Sequence, residues 1–513
     1  MSGIPHHNDK SDIDERLSAL LTNAAAVRAI AGAVENTLGP KGLDTMLVDG
    51  NGDIIVTNAG VTILGRMEVS HPAARMLINI ARNQHEQVGD GTTTATIMAG
   101  TLVSEGLNYI IRGVPVSKII EGIRIGIHEC LELLDKGAIT IKDMDDPLLG
   151  QVTTVAGRND SAIAGGVVAL ARNIGSEKLL DSTFRLSERI VAEVGASHEV
   201  FPGLLFKKKR LNEQMPHKVT AAKVLALEDS LLPEELSEAA LRTEAGFAAY
   251  LNYQEEFRKN IRRLPGLGIK LVVLEKGIDD FAEELLTREG ILVISRLRSS
   301  DFRNVLEYTG AKALKRTCIG RSDEELRASL GQAKEVMEDG RLGHMRISGG
   351  EGKKTATFLV GATTEEVVGE RERIAQDAAS SLQAALKGGV VAGGGAFELS
   401  LIPPVRKART KARGIAAYGI DCVVESLKRP MAQIIANAGF NSLEKIEEAL
   451  KSLEETGRTP GVDCDSGNLI DMVEAGIIDP VPVKRQVFLA AMEVAEAILR
   501  INTIIKMSGT GMA

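Results

Sequence analysis

The sequence has 513 residues, enough for roughly three domains. Hydrophobic residues make up 44% and charged residues 25%, the balance of a globular protein with an ample core, not of a disordered or membrane-embedded chain. A net charge of −8, five tyrosines and no tryptophan argue against nucleic acid as the main partner.

The polar stretch Met1 to Lys10 has no apolar core of a secretion signal, and no segment is apolar for long enough to span a bilayer, so a cytoplasmic location is expected. From about Asp12 to Lys136 the pattern is mostly helical, interrupted by Leu47-Val48-Asp49 and Ile54-Ile55-Val56-Thr57. The turn signal Gly50-Asn51-Gly52-Asp53 between these two runs predicts a hairpin. Helical periodicity resumes over Ala73 to Ile80 and Thr92 to Ile111. His71, just before Pro72, reads as a helix-start or packing residue, and His6-His7 needs no role.

Between these helices lies Val88-Gly89-Asp90-Gly91-Thr92-Thr93-Thr94-Ala95-Thr96. Two glycines let the backbone bend tightly and bring amide N–H groups close to an anion. The threonines add hydroxyl donors, and Asp90 is a carboxylate placed to hold a divalent cation. The helix that follows would turn its positive end toward phosphate. For Gly-Asp-Gly alone, an ordinary turn at a helix start is an equal alternative. The longer run GDGTTT is much rarer and points to phosphate and metal.

From Val200 to about Gly350 strand-like runs (Leu271–Leu274, Ile291–Ile294) alternate with helical ones (Asp279 to Thr287, Ser300 to Tyr308). That alternation predicts an α/β module with parallel strands. Lys207-Lys208-Lys209-Arg210 is a compact basic run, better read as a solvated strand than as a nucleic-acid site in a chain of net negative charge. Phe247, Tyr250, Phe257, Ile261 and Leu264 recur at helical spacing, which fits either a helix packed on its own domain or a protruding one. After Thr363 the chain is helical again, broken by Gly388-Gly389 and Gly393-Gly394-Gly395. The organisation is a helical beginning and end enclosing an α/β insert. Cys130, Cys318, Cys422 and Cys464 are far apart in sequence, which favours buried thiols over a zinc site or a disulfide framework. The tripeptide Asn58-Ala59-Gly60 recurs as Asn437-Ala438-Gly439, a match expected to be chance.

Four glycine-bounded segments occur in one order: Thr37-Leu38-Gly39-Pro40-Lys41-Gly42, Asp90 to Thr94, Val390-Val391-Ala392-Gly393-Gly394-Gly395 and Gly476-Ile477-Ile478-Asp479-Pro480. Together they resemble the phosphate and nucleotide loops of a chaperonin (HSP60 superfamily) subunit, over nearly the whole chain. Ser70-His71-Pro72-Ala73-Ala74, Gln214-Met215-Pro216, Glu275-Lys276-Gly277-Ile278-Asp279-Asp280 and Gly461-Val462-Asp463 resemble the lid-bearing, thermosome-like group II kind, with the bacterial group III branch as the variant. Unlike most such subunits, the chain ends Ser508-Gly509-Thr510-Gly511-Met512-Ala513 without a long Gly-Met-rich tail. The stretch Asn173 to Ser182, with Lys178, looks shorter than the family's phosphate-sensing loop.

The resemblance implies a multidomain α and α/β fold. A mostly helical equatorial ATP-binding domain (1–140 and 388–513) would join an intermediate hinge domain (141–203 and 351–387) and an α/β apical substrate-binding domain (204–350) with a helical lid protrusion at about 231–264. It implies back-to-back rings that enclose unfolded protein clients without a separate co-chaperonin, nucleic acid or membrane, driven by ATP and Mg2+. Carried over residue by residue, Asp90 would be the magnesium ligand. Thr37, Leu38, Gly39, Pro40, Gly60, Gly91, Thr92, Thr93, Thr94 and Gly394 would line the nucleotide, and Asp479 would accept from its ribose hydroxyls. Asp377 would be the catalytic carboxylate that polarises water; without the resemblance, a solvated acid on a helix among Glu370, Glu372 and Gln376 is the favoured reading. The family's Asn-Asp-Gly reads Asn58-Ala59-Gly60 here, so the second catalytic carboxylate is replaced by Ala59. Slow hydrolysis with retained binding is expected, either from a substitution made to trap ATP, the favoured origin, or from a naturally slow subunit. A nucleotide-holding scaffold without turnover remains the second reading. A small-molecule kinase using GDGTTT is a third, for which no acceptor-side base is visible.

Overall fold

Helix α1 (Asp9–Glu35) opens the part of the computed structural model that can be described, which comprises residues 9–50, 52, 54–234, 236–237, 242–412 and 414–503. His6-His7 and the tail Ser508–Ala513 lie outside the described residues. After α1 comes the expected hairpin of β1 (Thr45–Val48) and β2 (Ile54–Thr57), paired Val48↔Ile54 through Thr45↔Thr57. One face of this ribbon carries the cross-strand pairs Met46–Val56 and Val48–Ile54, all four exposed, with Met46 and Val48 each at 62%. Helices α2 (Gly60–Arg66), α3 (Pro72–Val88), α4 (Thr92–Ile111) and α5 (Val116–Gly137) follow. His71 caps α3, its Nδ1 accepting from the Ala73 N–H at 3.3 Å, which is the helix-start role expected of it.

The middle of the chain forms two sheets. A three-stranded sheet joins β3 (Ile190–Val194) and β4 (Glu199–Phe201) to β11 (Thr357–Ala362), with β11 in the centre. A six-stranded sheet runs β5-β10-β9-β6-β7-β8, built from β5 (Gly203–Phe206), β6 (Lys218–Leu227), β7 (Ile269–Leu274), β8 (Leu292–Ile294), β9 (Gly331–Asp339) and β10 (His344–Gly350). Only β6, β7 and β8 are parallel. The other half is antiparallel, because β9 and β10 are joined by a tight turn and return as a hairpin, where a parallel pair needs a long crossover. The expectation of parallel strands therefore holds for half of the sheet. Helix α6 (Glu244–Arg263) is amphipathic, while α7 (Asp280–Arg288) and α8 (Ser299–Thr309) alternate with the parallel strands.

The chain then returns to helix: α9 (Glu365–Gly388), α10 (Ala417–Asn437) and α11 (Val481–Leu499). Two strand pairings interrupt this stretch or bound it. β12 (Val390–Ala392) pairs antiparallel with β15 (Ile478–Pro480), and β13 (Pro460–Val462) with β14 (Leu469–Asp471).

Two compact units result. One comprises the chain up to Ala164, Leu180–Ser187 and the residues from Ile374 onward; the other comprises Gly165–Leu179 and Glu188–Arg373. The first unit has one contiguous core, with Leu77, Met98, Leu102, Ile123, Leu427 and Phe488 all fully buried. Helices α5 and α10 cross closely because Gly122 and Gly419 face each other: a Cβ on either would come 2.7 Å from the other's Cα. The second unit packs a core on each face of its six-stranded sheet. Phe257, Ile261 and Leu264 of the α6 region belong to one of these cores, whereas Phe247 and Leu251 are exposed. The helical stripe read in sequence is thus split, its C-terminal half packed on its own unit, with Phe247 exposed and Tyr250 half-buried at its N-terminal end.

Cys130 and Cys422 are buried and Cys318 and Cys464 half-buried, all four as free thiols. Of the basic run, Lys207 pairs with Glu193 at 3.1 Å and Arg210 with Glu338 at 3.3 Å. Lys178 pairs with Glu307 at 3.4 Å in the second unit. No described helix is long and apolar enough to cross a membrane.

Candidate functional site

The Gly-Asp-Gly turn folds as its sequence dictates. Gly89 (φ +76°) ends α3 and Gly91 (φ +78°) caps α4, left-handed conformations that other residues adopt only with strain. Asp90, between them, accepts from the Gly91 N–H at 2.6 Å and from the Ser381 hydroxyl at 3.0 Å. Gln84, buried on α3, donates its amide to the Asp90 carbonyl at 2.9 Å and to that of Val483 at 3.4 Å, fixing the loop against the start of α11.

The Asp90 side chain keeps a partly open edge, yet loss of water around its carboxylate pushes its pKa above the usual aspartate range. The Gly91 hydrogen bond opposes that shift, the negative charge of Asp479 adds to it, and Ser381 and Lys484 moderate it. A carboxylate held ionised at such cost is suited to a hard cation. Its oxygens match the ligand preference of Mg2+, which takes one or two carboxylates and completes its shell from phosphate and water. Among the described residues no cluster of three acidic, His or Cys side chains could hold a metal unaided.

Gly60 faces the same turn. A Cβ there would lie 2.5 Å from Thr93 Oγ1 and 3.2 Å from Thr92 Oγ1, so the first residue of α2 must be bare for the two threonines to sit where they do. Thr92 to Thr94 form the first turn of α4, where free backbone N–H groups and the helix dipole favour an anion. Ala59 is the N-cap of α2, buried, with extended backbone and no side-chain cap; its N–H donates to Thr57 Oγ1 at 3.1 Å. Beside it, Asn58 accepts from the Arg158 guanidinium. Arg158 (φ +54°) and Asn159 (φ +61°) are consecutive left-handed residues, a strained pairing of the kind that gathers at functional sites.

Helix α9 brings two side chains here. Gly89 touches Ser380, and Ser381 holds Asp90. Asp377 lies one helical turn before Ser381, on the same face, and is half-buried, not fully solvated. The late segments meet through β12 and β15, in which Val391 pairs with Asp479. The Gly393 N–H donates to the Ile477 carbonyl at 2.9 Å, and a Cβ on Gly393 would lie 3.2 Å from Asp479 Oδ1. Gly394 (φ +62°) leaves room for Met472, whose Cε is 2.8 Å from where its Cβ would be.

The first loop reaches this region through α10. Gly39 (φ +85°) passes Ile434, a Cβ there coming 3.0 Å from its side chain, and Gly395 passes Met431, three residues earlier on the same helix. Asn437 Nδ2 donates to the Glu35 and Leu38 carbonyls at 3.0 and 2.8 Å. The recurring Asn-Ala-Gly tripeptide, read as chance, therefore contains two asparagines that each tie down a loop. Thr37 is buried with its hydroxyl on the Val34 carbonyl at 2.7 Å; Leu38 is half-buried, and Gly39 and Pro40 are exposed.

Sequence reasoning missed Ser381, Gln84 and a buried ion cluster. Lys484, on the first turn of α11, is 2.6 Å from Glu398 Oε1 and 2.7 Å from Asp479 Oδ2. Burial alone would lower the Lys484 pKa, but the Asp479 and Glu398 charges outweigh it and hold the ammonium above the ordinary lysine value. Helical spacing from Asp377 could have found Ser381. Lys484 lies five residues after Asp479, but its other partner, Glu398, is 86 positions away, so the cluster is not visible locally.

Residues 30–508 match the model of the TCP-1/cpn60 chaperonin family. The thermosome subunit alpha of Archaeoglobus fulgidus is 33% identical over 509 residues, 95% of this chain and 92% of its own length. A thermosome subunit of Pyrococcus abyssi is 32% identical over 502 residues, 94% of this chain and 90% of its own. A crystal structure of a group III chaperonin in the open state is 45% identical, with a TM-score of 0.86, covering 96% of this chain and all of that one. The chain belongs to the TCP-1/cpn60 chaperonin family. It has the multidomain α and α/β fold of that family and its thermosome-like character, and with them the family's ATP-dependent chaperonin function in double rings that bind unfolded clients.

Proposed function

We propose that the first unit binds ATP with Mg2+ at the Asp90 turn and that this chain hydrolyses it slowly to close a built-in lid over unfolded protein. The observation that supports this most is the Ser381–Asp90 hydrogen bond, which sets Asp377, one turn away on α9, beside the carboxylate best suited to the cation. Asp90 would hold Mg2+, and bound Mg2+ would neutralise charge on the phosphates. Gly91, Thr92, Thr93 and Thr94 would donate to phosphate beneath the bare face of Gly60, with Thr37, Leu38, Gly39 and Pro40 as the outer loop. Gly394 would leave space for the nucleoside, whose ribose hydroxyls Asp479 would accept. Asp377 would orient the attacking water.

Ala59 stands where the family's second carboxylate would help, so the chemical step is slowed while binding is kept. On this reading residues 1–140 and 388–513 are the equatorial domain, 141–203 and 351–387 the intermediate domain, and 204–350 the apical domain with its lid about 231–264. Residues 235 and 238–241 of that segment lie outside the described residues; Phe247 and Leu251 supply an exposed apolar stripe for lid-to-lid contact. The assembly would work in the cytoplasm without a separate co-chaperonin, nucleic acid or membrane.

Phosphate release and particle images with and without ATP test the reading. Asp90→Ala should abolish Mg2+-dependent phosphate release and leave the particle open in ATP, whereas removal of 231–264 should spare nucleotide binding and end protection of an aggregation-prone client. A lid-deleted form that still shelters its client refutes the lid assignment, and undiminished release from Asp90→Ala refutes the site. The Ala59 position also favours a second reading, a subunit that holds nucleotide without turnover, marked by binding with no release at all.

A further inference from the structure

We infer that Lys484 is a positioning residue for the nucleotide: clamped by Glu398, it fixes the Asp479 carboxylate so that one oxygen stays turned to the sugar. The inference rests on the proposed contact of Asp479 with ribose and adds the residues that orient it.

The cluster is costly to build. Lys484 is 6% exposed and Glu398 is 0%, and both charges have been taken out of water. Lysine in the first turn of a helix also opposes the helix dipole. A buried ion pair adds little to stability once desolvation is counted, so its persistence points to orientation, not to fold energy.

The geometry divides the work between the two oxygens of Asp479. Oδ2 is taken by Lys484 at 2.7 Å, while Oδ1 lies over Gly393, 3.2 Å from where a Cβ would be. Asp479 remains 28% exposed although its cation is closed off. Backbone pairing of Val391 with Asp479 fixes the strand, and Lys484 removes the remaining freedom of the side chain. Glu398 in turn keeps Lys484 from swinging away; among the described residues its Oε2 has no hydrogen-bond partner, and its Oε1 bonds the lysine. One lysine between two carboxylates leaves a net negative charge. That charge repels phosphate and accepts from hydroxyl donors, so the cluster selects the sugar end of a nucleotide and leaves the phosphates to the Gly91 end of the site.

Equilibrium binding of ATP and 2′,3′-dideoxy-ATP to the full assembly, with kcat and KM for ATP, tests the assignment. The unmodified protein should bind ATP about tenfold tighter than the dideoxy analogue, the size of a hydrogen bond to a charged group. Lys484→Met should lose that preference by weakening ATP alone, raising KM about tenfold with kcat within about twofold of its starting value. Because Lys484→Met leaves Glu398 buried and unpaired, Lys484→Met with Glu398→Gln is measured as well; it removes both charges and should show the same loss in an assembled particle. If Asp479→Asn loses the preference while either Lys484 variant keeps it, the positioning role is overturned and the ribose contact stands. If the unmodified protein binds both nucleotides alike, the ribose contact itself is wrong and the inference falls with it.

Discussion

The Ser381 hydroxyl donates to Asp90 Oδ2 at 3.0 Å, joining residues 291 positions apart in the chain. This bond ties the loop best suited to a cation to the helix that carries Asp377. Ser381→Ala removes a donor that favours the ionised carboxylate. The Mg2+ concentration for half-maximal phosphate release should rise about tenfold, the scale of one charged hydrogen bond, as read from a magnesium titration.

Ala59 caps α2 without a side-chain acceptor. Ala59→Asp supplies both the second carboxylate that the proposed mechanism calls for and a preferred N-cap. Phosphate release under single-turnover conditions should rise on the order of 10²-fold, and α2 should gain about 1 kcal/mol of stability. An unchanged rate in a well-folded variant would falsify the role given to this position.

Gly60→Ala would ordinarily favour a helix by up to about 1 kcal/mol. Here its Cβ would fall 2.5 Å from Thr93 Oγ1, forcing the threonine to turn. ATP affinity should drop about tenfold with little change in melting temperature, a pairing that calorimetry and a thermal melt resolve together.

Helix α6 should respond differently at its two ends. Ile261→Ala opens a cavity in a closed core and should cost about 2–5 kcal/mol in denaturant unfolding. Phe247→Ser and Leu251→Ser change exposed positions and should leave stability within about 0.5 kcal/mol.

Glu193 links β3 to β10 through His344, at 3.0 Å, and also pairs with Lys207. Burial alone would raise its pKa, but these two hydrogen bonds outweigh burial and hold it below the ordinary 4.5. A carboxyl lowered in the folded state contributes stability that is full above its unfolded pKa and lost as pH falls through the folded one. Unfolding midpoints of the unmodified protein should therefore fall as pH drops below about 4.5, and Glu193→Gln should flatten that fall.

Legibility in the sequence followed the range of the interactions. The β1–β2 hairpin and the start of α4 were readable because Gly-Asn-Gly-Asp and Gly-Asp-Gly-Thr act within a few residues. The antiparallel half of the six-stranded sheet was not, since β9 and β10 are weak apolar runs whose direction is set by their partners. In the α6 region the spacing of Phe247 through Leu264 was right, but which end is covered depends on a core assembled from β6, β7 and α7. Glycines of the site were conspicuous one by one. The side chains that lock it, Gln84, Ser381, Asn437 and Lys484, are ordinary letters, and each has at least one partner far along the chain: Val483, Asp90, Leu38 and Glu398.

The ribbon of β1 and β2 shows four bare apolar side chains on one face, Met46, Val48, Ile54 and Val56. A solitary subunit therefore carries its own adhesive. On dilution, a subunit separated from its ring would face competition between reassembly and aggregation through this face, and light scattering of a diluted sample should rise as the ring dissociates.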